Sequence, residues 1–561
     1  MSEGPAAAAP GWLGLHCFLS TTPEDTDAFL VEEVAPLLDG LVAGRPGAAW
    51  FFIRYNEGGP HLRVRVRGLD DGAALELRAA LDVLAKGRDG RLAEVAYVPE
   101  TERYGGPAAL PVAEEVFVRS TRVAVEAVAR TRRGSERLAL GVDLAHATAL
   151  ALGLDRHAAA RWLRVQAAGW RWATDVPLLP TRFLHAQVNV VYAAQREALL
   201  RRADALRQEL AEVTAAGIAE GTADADGPAA RWAREVAAAD GELRALDGSP
   251  NRLWVWGSQL HMLLNRIGIV PDEERAVCRL AARALMDAGE PASYFPVGHL
   301  ASDRQYLESS RFRIGRDNDS LPRPLAPAAD PGPAALGAEL ALPAEPLPDV
   351  SLRTAIAGRV SVRGPLGGPL TATGLGTLLW GAHAFSHTSE VPLADGTVGA
   401  SRHRPYPSAG ALYTAGLRLF ALDVEGLPPG TYQCVPERRS LRFVGPVPDL
   451  DEIKSMCSYL SRPDDDPEGI SVDSAPAVLG LYVNLGRLRA RYGLRALRLG
   501  LLEAGHLAQS LLLAASALGL STTPLGGFRD ESAQELFGLD EEDEPLQYLL
   551  PLGRRMPGAG R

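Results

Sequence analysis

The segment from Ser320 to Val350 constrains the fold most, because it cannot belong to a regular core element. It reads SLPRPLAPAADPGPAALGAELALPAEPLPDV, and its prolines with interleaved alanines continue neither a helix nor a central strand. Such a sequence favours a semi-rigid linker. We therefore expect two domains, residues 10–318 and 351–561, joined by a linker over residues 319–350. A chain of 561 residues is long enough for a separate hydrophobic core in each domain.

The composition is typical of a soluble globular protein, with 47% hydrophobic and 23% charged residues. The formal net charge of −11 argues against broad binding to nucleic acid or to an anionic membrane, so any anion site must be local. The spacing of Cys17, Cys278, Cys434 and Cys457 indicates neither a disulfide framework nor a zinc site. The first residues lack the pattern of a secretory signal, and no run of about 20 apolar residues follows. We expect a reduced, cytoplasmic protein.

Both halves mix helix and strand patterns, which predicts an α+β fold for each. In the first half we expect strands over Trp12–Phe18 and within Trp50–Arg67, helices from Ala113 onward, notably Ser135–Leu152 and Arg196–Val213, and a surface loop over Gly217–Gly227. In the second half we expect helices over Leu375–Ala382 and Ala496–Leu518, and short strands over Leu417–Val424, Leu441–Val444 and Val478–Val483.

The stretch WFFIRYNEGGPHLRVRVR from Trp50 to Arg67 ends in an alternating strand after a Gly-Gly-Pro turn. Successive side chains of a strand point to opposite faces. One face then carries His61, Arg63, Arg65 and Arg67, and the other carries Leu62, Val64 and Val66. A row of guanidinium groups repels itself unless something anionic lies against it. The row indicates an anion site, although a solvated basic strand has the same pattern.

Two further segments of the first half concentrate polar groups. The first is PETERYGG from Pro99 to Gly106, and the second is QLHMLLNR from Gln259 to Arg266. In the second segment His261 and Asn265 lie one helical turn apart and share a face. A lone histidine on an apolar helix is more often a core residue than a catalyst. Glu100 and Arg103 have a simpler interpretation too, as a local ion pair.

In this order, HLRVR, ExxRYGG and HMxxNR resemble the glutamate-elimination domain of class I lanthipeptide dehydratases and their stand-alone relatives in thiopeptide biosynthesis. The resemblance spans about Trp12–Ile314. It implies removal of glutamate from glutamylated Ser or Thr of a ribosomally made precursor peptide, which leaves dehydroalanine or dehydrobutyrine. Carried over position by position, it implies an essential set that consists of Arg63, Arg65, Arg103 and His261, with Glu100 beside them.

These residue types suit a β-elimination, which needs a base at Cα, stabilisation of an enolate and a grip on the departing glutamate. Guanidinium groups bind carboxylates in a bidentate manner, so we expect Arg63, Arg65 and Arg103 to hold the glutamyl group. His261 is the expected acid or base, because imidazole exchanges protons near neutral pH. Glu100 either orients Arg103 or takes the Cα proton, and the sequence leaves both open.

We find no counterpart of the large glutamylation domain of full-length dehydratases, so we expect a separate tRNA-dependent protein to supply the glutamylated peptide. A rival within the same fold is the pyridine synthase, which closes a thiopeptide macrocycle by cycloaddition between two dehydroalanines. We would not expect a cycloaddition enzyme to need the complete set of Arg, Glu-Arg and His residues.

A second series of motifs follows the linker: RVSVR at Arg359–Arg363, RPYPSAGALY at Arg404–Tyr413, RYG at Arg491–Gly493, LEAGHLAQ ending at Gln509, PLGGF ending at Phe528, and LGR ending at Arg554. In this order they resemble the SagB-type dehydrogenases, FMN enzymes of the nitroreductase fold that oxidise azolines to azoles in ribosomal peptides. The resemblance covers about Leu352–Arg555. It implies a cyclodehydratase that forms the azolines and a leader-recognition protein as partners.

The same resemblance implies which residues hold FMN. They are Arg359, Ser361, Arg363, Ser408, Ala409, Gly410, Gly526, Gly527 and Arg554. Val360 departs from the family's RRSxR element, where a second arginine stands. Small residues at Ser408–Gly410 permit close approach of the backbone to a flat ring. Gly526 and Gly527 have the alternative interpretation of a simple turn.

Some relatives use a Lys-Tyr pair to remove the azoline Cα proton, and this chain has Arg491-Tyr492. Arginine has a pKa above about 12 and is a poor base, so we expect Tyr492 to accept the proton with Arg491 favouring its tyrosinate. Alternatively, Tyr492 only packs on a helix. His383 and His387 have HxxxH spacing but lack the glutamate and third ligand of a metal site, so we predict no metal.

Both resemblances together are those of a fused elimination and azoline-dehydrogenase protein of thiopeptide biosynthesis. A homodimer through the second domain follows from the nitroreductase-type fold. Two other hypotheses remain. One half could be a catalytically silent peptide-binding module, or the second half could be a nitroreductase that uses NAD(P)H, although no dinucleotide fingerprint occurs.

Overall fold

The computed structural model describes residues 11–170, 173, 176–215, 227–246, 251–287, 289, 297–298, 301–311, 339–392, 398–463, 466 and 468–556. The chain divides into two compact units. One consists of Met1–Leu179 with Ala186–Ala288, and the other of Pro180–His185 with Gly289–Arg561. Each unit combines helices with antiparallel strands, which confirms the predicted α+β class.

The first unit contains a four-stranded antiparallel sheet. Its strands are β1 (Trp12–Phe18), β2 (Ala49–Tyr55), β3 (His61–Arg67) and β4 (Arg91–Glu94), in the order β2-β3-β1-β4. The predicted strand at Trp12–Phe18 is confirmed, and the Trp50–Arg67 stretch forms the β2–β3 hairpin. As the alternation predicts, Leu62, Val64 and Val66 are buried in the core of this unit.

Helices supply most of the remaining described structure of this unit. They are α1 (Pro23–Phe29), α2 (Ala35–Val42), α3 (Asp71–Lys86), α4 (Leu110–Arg130), α5 (Ser135–Ala151), α6 (Arg156–Gly169), α7 (Thr181–Ala215), α8 (Pro228–Arg244), α9 (Arg252–Arg266) and α10 (Pro271–Leu285). The predicted helix at Ser135–Leu152 is confirmed as α5, and Arg196–Val213 lies within the longer α7. Apart from Gly227, the loop expected at Gly217–Gly227 lies outside the described residues.

Helix α9 is fixed to the sheet by two side chains at its end. The amide of Asn265 accepts a hydrogen bond from the Arg54 backbone N–H (2.9 Å) and donates one to the Arg54 carbonyl (3.0 Å). Arg266 is fully buried and donates from Nε to the Phe52 carbonyl (2.6 Å). His261 and Asn265 lie one turn apart on α9, as expected. The Asn265 amide, however, attaches the helix to β2.

A buried carboxylate joins several elements of this unit. Asp27 of α1 forms ion pairs with Arg54 of β2 (2.6 Å), with Arg133 (3.0 Å) and with Arg137 of α5 (3.3 Å). Arg137 also donates to the Ile267 carbonyl just beyond α9. Asp27 thus links the sheet, two helices and the end of α9.

The second unit contains a larger antiparallel sheet, a separate hairpin and helices on the sheet. Its described strands are β5 (Glu339–Ala341), β6 (Leu366–Gly367), β7 (His387–Pro392), β8 (Val398–His403), β9 (Ala415–Ala421), β10 (Gly430–Val435), β11 (Ser440–Gly445), β12 (Ala477–Val483), β13 (Ser521–Thr522) and β14 (Leu546–Arg555). The sheet order is β13-β14-β12-β9-β10-β11-β5, β6 also pairs with β14, and β7 pairs with β8. The strands predicted at Leu417–Val424, Leu441–Val444 and Val478–Val483 correspond to β9, β11 and β12.

The expected linker needs a correction at its end. Residues 319–338 lie outside the described residues, but Glu339–Ala341 pairs with β11 through backbone hydrogen bonds, and Leu342 is buried in the core that follows. The prolines of the segment lie outside these three residues, so their backbone groups are free to pair with the open edge of the sheet, and the Glu339 carboxylate accepts hydrogen bonds from Arg438. This part of the segment therefore belongs to the second unit.

The described helices of the second unit are α11 (Ser302–Ser309), α12 (Leu352–Gly358), α13 (Ala372–His383), α14 (Leu450–Ser455), α15 (Leu485–Tyr492), α16 (Ala496–Ala517) and α17 (Asp530–Phe537). The helices predicted at Leu375–Ala382 and Ala496–Leu518 are confirmed as α13 and α16. Among the described residues of the whole chain, no helix has the length and apolar content needed to cross a bilayer.

Replacing Asp27 tests whether its carboxylate is needed for the first unit. Asp27→Ala leaves several buried guanidinium groups without their counter-ion, which costs about 3–5 kcal/mol. We expect faster hydrogen exchange at the backbone amides of β2 and α5. Asp82→Ala is the matched control, because Asp82 pairs with Lys86 at the exposed surface of α3 and such pairs contribute about 0–1 kcal/mol. Equal effects of the two substitutions would contradict the assignment.

Candidate functional sites

One face of the first-unit sheet carries cationic and aromatic side chains in rows. The register places Phe51, Arg65 and Gly14 in one row, Ile53, Arg63 and His16 in the next, and Tyr55, His61 and Phe18 in a third. The predicted arginine row is therefore present on β3. Arg67, at its end, forms an ion pair with Glu115 and lies over the Trp12 ring. Glu115 therefore compensates the charge of Arg67. In the part of the chain that the structure describes, Arg63 and Arg65 have no comparable acidic partner.

Arg65 is a buried cation without an acidic partner among the described residues. Its exposed fraction is 6%, and it donates from Nη1 to the Val64 carbonyl and from Nη2 to His16 Nε2, both at 3.1 Å. Burial and the neighbouring charge of Arg63 lower the pKa of Arg65 to about 10. A carboxylate that entered this site would relieve both unfavourable effects.

Arg63 is held mainly by uncharged groups. It donates from Nε to His61 Nε2 (3.0 Å), and its guanidinium lies 3.4 Å from the centroid of the Tyr55 ring. Its ion pair is with Glu57 at 3.4 Å, and the Glu57 side chain is 80% exposed. An exposed pair of this kind contributes little, so Arg63 remains available to an anion.

Sequence reasoning missed His16. Its side chain is 6% exposed and its ring stacks on the His61 ring with centroids 5.0 Å apart. Burial, together with the charges of Arg65 and Arg63, lowers the pKa of His16 to about 4. The sequence alternation could have identified it. His16 lies between the apolar residues Leu15 and Cys17 of the same strand, so its side chain points to the opposite face, which carries the arginines.

The ExxRYGG segment forms a 3-10 turn over Thr101–Tyr104. Arg103 donates from Nη1 to the Glu100 carboxylate (2.9 Å) and from Nε to Ser258 Oγ of α9 (3.3 Å). Ser258 lies three residues before His261, so both side chains project on the same side of α9. The structure therefore brings Glu100, Arg103 and His261 into one neighbourhood, and Glu100 contacts Arg103.

His261 has a buried acidic partner that sequence reasoning missed. His261 Nδ1 lies 2.8 Å from Oε2 of Glu274, a residue that is 5% exposed at the start of α10. The Trp170 ring packs edge-on against the imidazole, with centroids 5.0 Å apart. Glu274 can hold the Nδ1–H tautomer and leave Nε2 free to exchange a proton. No spacing rule pointed to Glu274, because it lies on the next helix.

A shared aromatic cluster connects these groups with the arginine face. Phe51 and Tyr104 are buried in it, and Tyr97 and Met262 pack against it. The Arg65 guanidinium lies 5.6 Å from the Tyr97 ring centroid, while Tyr104 and Met262 directly follow Arg103 and His261 in sequence. Arg65, through Tyr97, and Arg103, whose guanidinium lies 6.0 Å from the Tyr104 ring centroid, therefore border the same apolar cluster.

In the second unit, the Ser-Ala-Gly motif lies against Arg491 and Tyr492. Gly410 has a positive φ of 60°, and a Cβ atom added to it would collide with Tyr492 Oη and lie 3.3 Å from Arg491 Cζ. The close approach requires glycine here, and the positive φ favours it. The Nε atom of Arg491 is buried and has no hydrogen-bond partner in the described structure.

Glu503 of α16 fixes the loop that carries this motif. Its carboxylate accepts hydrogen bonds from Ser408 Oγ (2.7 Å), Thr414 Oγ1 (3.2 Å) and the Ala415 backbone N–H (2.8 Å). The side chain is 1% exposed. Glu503 was within a predicted motif, but its role in holding Ser408–Ala415 was not predicted.

The Arg359–Arg363 segment and Arg554 lie on either side of β13. Ser361 forms a parallel bridge with Thr522, and β14, which carries Arg554, pairs with β13 on its other side. Arg554 donates to the Gly519 carbonyl (3.3 Å). Arg363 Nε and Nη1 and Thr522 Oγ1 are buried and have no hydrogen-bond partner in the described structure. Val360, which replaces the family's arginine, is 59% exposed.

Gly526 and Gly527 are both exposed, and the Gly527 carbonyl accepts from Cys457 Sγ (3.0 Å). The residues on either side, Leu525 and Phe528, pack in the same core cluster as Val362. His383 and His387 have separate contacts: His383 is buried beside Tyr406 Oη at 3.0 Å, and His387 stacks on His403.

Comparisons with known proteins match the two halves separately. The family model of the lantibiotic biosynthesis dehydratase C-terminal domain matches residues 12–285, and that of the nitroreductase family matches residues 458–554. A protein of Methanocaldococcus jannaschii described as a nitroreductase is 31% identical over 213 residues, which cover 37% of this chain and 96% of that protein.

Two solved structures are similar to the chain. The tRNA-dependent lantibiotic dehydratase MibB from Microbispora sp. 107891 is 26% identical, with 50% of this chain and 28% of that chain covered and a TM-score of 0.35. The pyridine synthase TbtD from thiomuracin biosynthesis is 22% identical, with 49% and 97% covered and a TM-score of 0.39.

The chain is thus a fusion of a lantibiotic dehydratase C-terminal type of domain with an oxidoreductase-type domain, which confirms the predicted fold of each half. Through the second of these domains it belongs to the nitroreductase family. Members of that family typically bind a flavin.

Glu503→Gln tests how the Ser408–Ala415 loop is held. Glutamine offers one acceptor oxygen, whereas Glu503 offers two. At least one of the three donors would then face an amide NH₂ and lose its hydrogen bond, which destabilises the loop by about 1–3 kcal/mol. We expect faster hydrogen exchange within Ser408–Ala415, measured by mass spectrometry. Gln509→Ala, an exposed change on the same helix, is the matched control and should leave this exchange unchanged. An unaltered loop in Glu503→Gln would show that other contacts hold it.

Proposed function

We propose that the protein is a bifunctional enzyme of ribosomal peptide biosynthesis. The first unit eliminates glutamate from glutamylated Ser or Thr, and the second oxidises azolines to azoles. The observation that carries the first assignment is the buried Arg65, which has no carboxylate partner among the described residues and lies beside Arg63. Such a site favours an incoming carboxylate, and the glutamyl group supplies one.

The elimination removes the Cα proton, breaks the Cβ–O bond and releases glutamate as a carboxylate. Arg63 and Arg65 hold the glutamyl group, and Arg103 contributes a third cation beside Glu100. His261, oriented by Glu274, removes or returns the proton. The contact between Glu100 and Arg103 favours an orienting role for Glu100, because its carboxylate is already engaged.

A cycloaddition activity like that of a pyridine synthase is the rival for this fold. Cycloaddition joins two dehydroalanines and releases no glutamate. The uncompensated arginine pair supports elimination, because it can hold the free carboxylate of a glutamyl group, which a dehydroalanine lacks. Detection of glutamate as a product distinguishes the two reactions.

We propose FMN as the cofactor of the second unit. Arg363 Nε and Nη1 and Thr522 Oγ1, which lack hydrogen-bond partners within the described residues, fit a phosphate group. The charged neighbour of Arg363 Nε is the Glu468 carboxylate at 3.8 Å, whose side chain is 64% exposed, so this pair is weak. Arg359, Ser361 and Arg554 would complete this end of the site. Ser408, Ala409 and Gly410 would run along the flat ring, and Gly526 and Gly527 would line the same site. Bound FMN would supply the two-electron acceptor that oxidation of an azoline requires.

The chain's own residues would manage the azoline Cα proton. Tyr492 Oη lies against Gly410, so a substrate ring seated at this loop meets a phenol as the nearest proton acceptor. The adjacent Arg491 guanidinium, whose buried Nε lacks a hydrogen-bond partner in the described structure, would stabilise negative charge on that oxygen during proton transfer. Arg491 itself binds its proton too tightly to act as the base.

We further propose a homodimer through the second unit. Four leucines around the start of α16 are more than a third exposed, although this helix is otherwise part of the core: Leu494, Leu497, Leu501 and Leu502. They follow Tyr492 directly in sequence. An apolar surface of this kind favours a second copy of the chain. A tRNA-dependent glutamylation protein, a cyclodehydratase and a leader-recognition protein complete the proposed set of cytoplasmic partners.

The elimination assignment predicts separable activities. In Arg63→Ala, Arg103→Ala and His261→Ala, glutamylated peptide should accumulate in mass spectra while azole formation continues. We expect losses in elimination rate on the order of 10²-fold or more. Arg67→Ala is the matched control, because Arg67 lies in the same row but is paired with Glu115. Full dehydration by the three variants would remove the proposed roles, and loss of both activities together would indicate a folding defect.

The cofactor assignment predicts a yellow protein. The double variant Arg359→Ala, Arg363→Ala should lose its flavin absorption band, because two charge-assisted contacts to a phosphate disappear. Arg353→Ala, an exposed arginine on α12, should retain the band. A colourless wild-type protein that cannot be reconstituted with FMN would rule out the dehydrogenase assignment.

Tyr492→Phe tests the proposed proton acceptor, because it deletes one hydroxyl and keeps the ring. FMN should remain bound, and azoline-containing peptide should persist at a mass two hydrogens per ring above the azole. Arg491→Lys should be tolerated or faster, because it restores the pair of the relatives with a cation whose pKa can fall on burial. Unchanged azole yield and rate in Tyr492→Phe would assign proton removal to another group. A second unit that binds FMN but never oxidises azolines would instead support a peptide-binding role.

A further inference from the structure

Two histidines hold Arg63 and Arg65, and no buried carboxylate among the described residues contacts either guanidinium. His16 Nε2 accepts from Arg65 Nη2 (3.1 Å), and His61 Nε2 accepts from Arg63 Nε (3.0 Å). The imidazole rings stack on each other and are 6% and 4% exposed. Each arginine is therefore paired with one imidazole on the same face of the sheet.

The geometry requires that both rings are neutral. A protonated imidazole has no acceptor nitrogen and would repel a guanidinium. His61 Nδ1 lies 2.8 Å from the Gly59 carbonyl, which fixes the proton on Nδ1 and leaves Nε2 as the acceptor. Burial lowers the pKa of both His16 and His61, so the rings remain uncharged near neutral pH.

Arg65 reaches His16 along one face of the strand pair. The register places Arg65 opposite Gly14 of β1, two residues before His16. A Cβ atom on Gly14 would be in ordinary contact with Arg65 Cζ (3.5 Å) but would collide with the Val95 carbonyl. Glycine is therefore required here by the chain at Val95, and the guanidinium passes over it towards His16.

A neutral acceptor does what a carboxylate cannot. It fixes the direction of a guanidinium and leaves its positive charge uncompensated. A carboxylate in the same place would cancel that charge and repel an incoming carboxylate. This difference matters only if the site binds an anion.

We propose that His16 and His61 are positioning residues of the first site, which hold Arg65 and Arg63 as neutral acceptors so that the carboxylate of the glutamyl group receives their full charge. The proposal rests on the proposed elimination of glutamate. Neither histidine needs to touch the reacting atoms.

Three variants of the full-length protein at position 16 separate this role from simple packing. His16→Phe keeps a flat ring but deletes the acceptor, His16→Gln restores an uncharged acceptor, and His16→Glu supplies a carboxylate. The readouts are the KM and kcat for glutamate release and the binding of free L-glutamate. Azole formation by the second unit serves as the internal control for protein integrity.

We expect His16→Phe to raise KM and weaken L-glutamate binding by about 10-fold, the equivalent of one hydrogen bond to a charged group. His16→Gln should bind L-glutamate within about 3-fold of wild type, since the bond to the charged group is restored. His16→Glu should bind it more weakly than His16→Phe, because it compensates Arg65. His61→Gln should likewise retain binding. Wild-type behaviour of His16→Phe, or tighter binding by His16→Glu than by His16→Phe, would overturn the proposal.

A double-mutant cycle guards against a general folding effect. If His16 acts through Arg65, His16→Phe should cost little further affinity for L-glutamate in an Arg65→Lys background. Additive losses would overturn the proposal. The two proposals can fail separately. If L-glutamate binding depends on His16 as described but the wild-type protein releases no glutamate from glutamylated peptide, the elimination is refuted and the positioning role is supported.

Discussion

The uncompensated charge of Arg65 is the interaction on which the account of the first unit depends. The chain as a whole is acidic, with a formal net charge of −11, yet this buried guanidinium has no carboxylate among the described residues near it. Folding therefore brings a cation into a place where it is unfavourable without a ligand. The surrounding structure supports that arrangement. Asp27 and Asn265 attach α1, α5 and α9 to β2, and β2 supports the strand that carries the arginines.

The second unit also contains arginines with buried nitrogens, although other helices and strands carry them. Arg363 and Arg491 both have buried nitrogens that lack hydrogen-bond partners in the described structure, and the ion pair of Arg363 with Glu468 is long and exposed. Gly410 brings the backbone against Arg491 and Tyr492. Glu503 is buried too, but all of its contacts are hydrogen bonds to the Ser408–Ala415 loop. Acidic groups fix the scaffold in both units, while cations remain available where an anionic ligand is proposed.

Much of this arrangement could be predicted from local sequence. Strict alternation after a Gly-Gly-Pro turn is sufficient to predict the β2–β3 hairpin and the arginine face, and the motif order predicts both folds. Contacts that join distant parts of the chain could not be predicted. Glu274 reaches His261 from the next helix, and His16 reaches Arg65 across a strand pair 49 residues apart in sequence. The prolines around Glu339–Ala341 concealed a short strand, because none of them falls within the three residues whose backbone pairs with the open sheet edge.

The most direct test of the central claim is the fate of a glutamylated precursor peptide incubated with the purified wild-type protein. If the uncompensated arginines hold the glutamyl group for elimination, free glutamate should appear in step with dehydroalanine or dehydrobutyrine, and the peptide should lose the whole of glutamic acid. Mass spectrometry of the peptide together with assay of the released glutamate measures both. Regeneration of intact Ser or Thr would reveal hydrolysis, and a peptide that keeps its glutamate would show that the site binds without eliminating; either result would contradict the account.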